Sequence, residues 1–258
     1  MRFFDTNWLF SNFGGTYDAS SGFPLFAFNE NSKFSWSSSG EGTDGNAIFV
    51  ERVLANTATI DRIFIRKTNI SNLTIEVDIG AGYVSLSNFT LTKSNDGANY
   101  FFELDAPITI EAIKIIGSNT IIPNQNKEIQ QILAFVELGS LNAVADINPK
   151  RIRVQKISKL NAGKVDIINK GYYYSFQLKL AAHYNAADNA IIEILLNRDE
   201  AFWYWINNDQ EDSMVMAQEP YRFQDLYKVG VQGDDNLSFT KNAFFSGIDE
   251  TINLTEVS

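Results

Sequence analysis

Residues 47–78 constrain the fold of this chain more than any other stretch. Leu73-Thr74-Ile75-Glu76-Val77-Asp78 alternates apolar and polar side chains with period two. That pattern belongs to a strand with one buried and one wet face. Just before it, Ile60-Asp61-Arg62-Ile63-Phe64-Ile65-Arg66 is rich in β-branched and aromatic residues, as half-buried strands are. Residues 69–72 between them carry turn chemistry. Two strands of a sandwich are expected here.

The same signals continue to residue 143. Strands are expected within 83–92, 99–104, 108–116 and 132–138. An Asn95-Asp96-Gly97 turn precedes the second of these, and Pro107 marks a strand edge or start. Residues 1–46 read as a lead-in broken by Gly14-Gly15, Ser20-Ser21-Gly22 and Phe23-Pro24. Residues 139–150 read as a connector ending in Asn148-Pro149, which places a domain boundary near Val144. The second half opens with strands within 151–160, 164–168 and 172–180. The period then changes, and NAADNAIIEILLN over 185–197 predicts a helix with Asp188 near its start. Further strands are expected within 202–206, 214–217, 227–232, 237–240 and 248–257.

The expected fold is therefore mostly β. An N-terminal jelly-roll β-sandwich with its lead-in occupies 1–143. A C-terminal β-sandwich or barrel-like domain with one helix occupies 144–258. The length of 258 residues suits two such cores.

Composition narrows the function. Acidic residues outnumber basic ones by 31 to 21, so the bulk field does not attract nucleic acid. The basic group Lys150-Arg151-Ile152-Arg153 reads as a solvated face at a strand start. Cysteine is absent, which removes disulfides, thiolate metal sites and cysteine nucleophiles together. The segment MRFFDTNWLFSNF lacks a continuous apolar core and a small-residue cleavage site, so no signal peptide is expected. No apolar run approaches the ~18 residues of a membrane span, so no membrane insertion is expected.

Catalytic signals are thin. His183 is the single histidine, and no Gly-x-Ser-x-Gly elbow accompanies it. Asp209, Glu211 and Asp212 near Trp203 and Trp205, or Asp234 with Asp235, are the candidate carboxylate pairs for glycan hydrolysis. A hydrophobic strand ending in a wet loop explains the first group better. The chain is therefore expected not to be an enzyme and to need no cofactor. A loop calcium held by Asp44 or by backbone carbonyls of 40–45 is the one metal site considered. Trp36 is expected in the core, with a rim position against a sugar as the alternative.

Four segments of the first half resemble the discoidin or galactose-binding-like jelly roll (coagulation-factor type C). They are NSKFSWSS at 31–38, TIDRIFIR at 59–66, LTIEV at 73–77 with NDGANY at 95–100, and IKI at 113–115 with ILAFVELG at 132–139. The second half resembles phage tail-tube and distal-tail proteins through its helix at 189–197, FWYWI at 202–206, PYRFQDLYKV at 220–229 and its last strand. That likeness implies a structural component of a phage tail or baseplate, assembled in the host cytoplasm into a homo-oligomeric ring that docks other tail proteins. Phe202, Trp203, Tyr204, Trp205, Tyr221, Phe223 and Tyr227 are its candidate subunit contacts. The alternative is a carbohydrate-binding module for host-surface glycans, with Trp36, Asn69, Asn72 and Tyr83 as candidate contacts.

Overall fold

A computed structural model of the chain describes residues 2–11, 14–30, 34–39, 44–94, 96–141, 144–159, 165–180, 186–198, 200–205, 226–231, 240–241, 248–249 and 251–256. In chain order the strands are β1 (Arg2–Phe4), β2 (Thr16–Ala19), β3 (Trp36–Ser37), β4 (Ile48–Thr68), β5 (Ile70–Asp78), β6 (Tyr83–Ser85), β7 (Phe89–Lys93), β8 (Tyr100–Thr120), β9 (Glu128–Phe135) and β10 (Glu137–Ser140). There follow β11 (Val144–Lys159), β12 (Val165–Leu180), β13 (Phe202–Trp205), β14 (Leu226–Val231), β15 (Thr240–Lys241), β16 (Ile248–Asp249) and β17 (Thr251–Glu256). Two α-helices are described: α1 (Trp8–Ser11) and α2 (Ala186–Leu196). The fold is mostly β, as the alternation predicts. Packing divides the described residues into two compact units. One lies within Phe4–Glu137, and the other is drawn from Met1–Phe3, Leu138–Ile206 and Leu226–Ser258.

The first unit is an antiparallel sandwich whose two longest strands serve both layers. In the β4–β8 pair, Val53 stands opposite Ala112 and the next registered pair is Ala58–Ile110, so residues 54–57 bulge out. Ile60 then faces Ile108 and Arg62 faces Glu103, so residues 104–107 bulge from the other strand. Such bulges bend a strand and let it switch sheets. On one side of them the order is β2–β4–β8–β5–β6, and on the other it is β3–β9–β4–β8–β7. Ile48, Val50, Ile75, Val77, Ile113 and Ile115 from the first layer share one core with Ile63, Ile65, Phe102 and Ile132 from the second. Two expected strands at 99–104 and 108–116 are thus one, because Pro107 sits in a bulge that asks nothing of its missing N–H.

The second unit holds a seven-stranded sheet in the order β10–β1–β13–β14–β17–β12–β11. Phe176, Leu178, Phe202, Tyr204, Val229 and Leu254 form its core with Ile192 and Leu195 of α2. The three-residue spacing of Ile192 and Leu195 puts them on one helical face, while Ile194 is exposed. The expected connector at 139–150 is largely strand. Pro149 pairs with Phe176 in β11, an outer strand of the sheet, where proline is tolerated.

Candidate functional site

One end of the sandwich is a rim of loops tied to one another by polar side chains. Asp44 Oδ1 accepts hydrogen bonds from Thr120 Oγ1 (2.6 Å), Asn124 N (2.9 Å) and Thr120 N (3.2 Å). The Thr120 hydroxyl first, and the Asn124 N–H after it, hold the Asp44 carboxyl below its ordinary range. Asn69 donates its amide to Asn126 O and accepts from Glu128 N, both at 2.7 Å. Ser38 and Lys127 exchange two bonds of 2.9 Å. Asn119 and Asn124 turn the chain at φ 57° and 62°, a left-handed conformation that asparagine tolerates. The rim is therefore a pre-set scaffold.

The segment bonded to β9 at Gln131 and Ile132 carries an aromatic platform. Phe23, Leu25 and Phe34 are 74%, 48% and 50% exposed, and Phe26 is half-buried between them. Phe26 and Phe34 stack at 5.4 Å with 15° between their planes, and Phe23 tilts against Phe26 at 6.0 Å. A one-turn helix over Pro24–Phe26 builds the platform, with proline suited to a first turn. Asn29 Nδ2 closes that turn by donating to Phe26 O at 2.6 Å. The next residues turn inward: Ala27 and Phe28 are fully buried, and Ile132 N donates to Ala27 O at 2.7 Å. Buried Gln131 ties the end of this segment to Arg66. Gln131 Nε2 donates to Glu30 O (2.9 Å), while Gln131 Oε1 accepts from Arg66 Nη1 (3.0 Å). Soluble domains rarely leave contiguous large apolar side chains in water without a partner for them.

The residues singled out from sequence scatter. Trp36 is fully buried, and its indole N–H donates to Ser21 O at 2.8 Å, so its core expectation stands and no ring face is left for a sugar. Asn69 lies on the rim with both ends of its amide engaged, and Asn72 is exposed opposite Ser118. Tyr83 pairs with Asp78 at the far end of β5 from Asn69. Eight strand residues at about 3.3 Å each separate the two ends, so the four contacts cannot share one small ligand. Tyr83 instead packs under Lys114 Nζ at 4.1 Å, with Lys114 paired to Glu51 at 2.6 Å. Burial pushes its phenol pKa well up. Asp44 serves Thr120 and Asn124 as an acceptor, and among the described residues no cluster of three or more acidic or histidine ligands forms.

The expected subunit contacts meet a plainer correction. Phe202, Trp203, Tyr204 and Trp205 are all buried within the chain, because both faces of β13 are covered. Tyr227 is half-buried, its ring 4.8 Å from Phe176. Tyr221, Phe223, His183, Asp209, Glu211, Asp212, Asp234 and Asp235 lie outside the described residues.

A second concavity of about 340 Å³ opens at the other end of the sandwich, where the loop between β6 and β7 meets the 104–107 bulge. Val77, Ile79, Val84, Leu86 and Leu104 line it, and Asp105 is its single carboxylate. An acid–base pair for hydrolysis is therefore not assembled there. The platform residues Phe23 and Phe34 were missed in the sequence. Their one signal was aromatic residues standing in Gly-, Pro- and Ser-rich segments rather than in an alternating run.

No protein-family model and no curated protein matches the sequence. Among solved structures, chitosan-binding module 1 of a chitosanase/glucanase from Paenibacillus sp. IK-5 is 16% identical at TM-score 0.41, covering 51% of this chain and 98% of its own. The family 32 carbohydrate-binding module of Clostridium perfringens NanJ, in complex with galactose, is 16% identical at TM-score 0.42, with coverages of 52% and 99%. A further C. perfringens family 32 module, bound to GalNAc-β-1,3-galactose, is 13% identical at TM-score 0.38, with coverages of 47% and 95%. The matches to such modules fall on the N-terminal half.

Proposed function

We propose that the first unit is a non-catalytic carbohydrate-recognition domain that binds its ligand on the Phe23–Phe26–Phe34 platform. The observation that carries this reading is the stacked pair of half-buried Phe26 and exposed Phe34, joined by exposed Phe23. A pyranose presents an apolar C–H face that lies flat on an aromatic ring. Its hydroxyls need donors and acceptors nearby, and the half-buried Asn29 and Glu30 are the polar residues that follow the platform turn. A shallow platform on a rigid scaffold suits a sugar chain or a terminal residue better than an enclosed small molecule. The ring-forming tail role has lost its motive at β13, whose aromatics are buried.

A glycan array probed with the full chain tests the reading. Galactose, GalNAc-β-1,3-galactose and chitosan oligomers belong on it as first probes. The expected result is retention on a defined glycan class that Phe34→Ala abolishes. Retention on no glycan, or binding that Phe23→Ala and Phe34→Ala leave intact, removes the proposal.

A further inference from the structure

The second unit carries a long basic ribbon. β11 and β12 pair antiparallel from Val144–Leu180 out to Lys159–Val165, with a bulge between Val154 and Gln155. On its other side β12 pairs with β17 only from Ser175 to Lys179. Among the described residues, 151–159 and 165–174 therefore form two strands with no third. Ten residues at about 3.3 Å make an arm of roughly 30 Å. An isolated two-stranded ribbon is marginal in water.

The arm's charge is opposite to that of the chain. Residues 150–170 hold seven of the 21 Lys and Arg but only one of the 31 Asp and Glu, Asp166. The rest of the chain is left with fourteen basic residues against thirty acidic ones. Arg151 and Arg153 stand opposite Tyr174 and Tyr172 in register, while Ile152, which faces Tyr173, is 37% exposed. Arginine and tyrosine, which meet in register here, are residue types enriched at protein interfaces.

We infer that this ribbon is an assembly arm whose partner is the acidic body of a second copy of this chain. Charge complementarity selects that occupant over an anionic polymer, which the remaining thirty acids oppose. Lysines and arginines on an outer strand also discourage edge-to-edge pairing. Contact through the arm's charges, rather than through its strand edge, agrees with that.

Sedimentation of the full chain at ~0.1 M salt, where the Debye length is about 10 Å, is the test. Concentration-dependent association is expected, with dissociation at ~1 M, where that length falls to about 3 Å. Reversing the arm by K150E/R151E/R153E should weaken self-association by about a hundredfold, near 3 kcal/mol. The circular dichroism should stay unchanged. Wild-type chain should still capture the labelled variant, whose acidic body is intact. A wild type that stays monomeric at ~0.1 M, a reversed variant that associates as well as wild type, or binding through these residues to heparin or DNA without self-association would overturn the inference.

Discussion

The rings of Phe26 and Phe34 lie 5.4 Å apart and 15° from parallel, although half of Phe34 faces solvent. A stacked pair held open in this way has already met the cost of ordering its side chains, which favours a flat apolar ligand. Replacing Phe34 or Phe23 by alanine should therefore lower glycan affinity by about tenfold or more while shifting stability by no more than ~1 kcal/mol. Titration calorimetry beside urea denaturation separates the two effects.

Trp36 should behave in the opposite way. Fully buried, it is paired with Ile129 across β3 and β9, and its indole binds Ser21 O. Trp36→Ala should cost about 3–5 kcal/mol in unfolding free energy. Trp36→Phe keeps most of the volume but strands the Ser21 carbonyl, for about 1–2 kcal/mol. Urea melts of the two variants check the order.

Arg62 holds three carboxylates together. Its Nη2 lies 2.6 Å from Glu137 Oε2 and 3.1 Å from Glu103 Oε1, and its Nη1 lies 3.6 Å from Asp61 Oδ2. Asp61 also accepts from Glu137 N at 2.9 Å. Arg62→Met should leave the two largely buried acids facing each other, destabilising by about 3 kcal/mol at neutral pH. Urea melts of wild type and variant at neutral pH measure this.

Asp44 gives the rim its own acid sensitivity. Its carboxyl is held below the unfolded value of 3.8, so its contribution is complete above that pH. The contribution disappears as pH falls through the lowered native value. Asp44→Asn should lose part of the rim's ordering at neutral pH and show a shallower acid limb than wild type. Hydrogen exchange at Thr120 and Asn124, whose amides both bind this carboxylate, reports it directly.

The sequence reveals this architecture unevenly, for physical reasons. Residues 73–78 announce their strand because one face is more buried than the other, and 60–66 because burial on both faces calls for β-branched and aromatic residues. The unity of β8 and the early start of β11 are hidden by Pro107 and Pro149, which usually end strands. One sits in a bulge and the other on an outer strand, both decided by partners far along the chain. The run Phe202–Trp205 looks the same in sequence whether water or protein covers it, and here protein covers both faces. Phe23 and Phe34 follow no period at all. Only folding sets their rings side by side with Phe26, so the candidate site was scarcely readable beforehand.

The most direct test of the account follows the phenylalanine rings themselves while glycan is added. With ¹³C-labelled phenylalanine, resonances assigned to Phe23, Phe26 and Phe34 by substitution should shift together on titration, while buried Phe64 and Phe101 stay fixed. If a glycan binds and those three rings do not move, or the moving rings lie elsewhere, the platform is not the binding site.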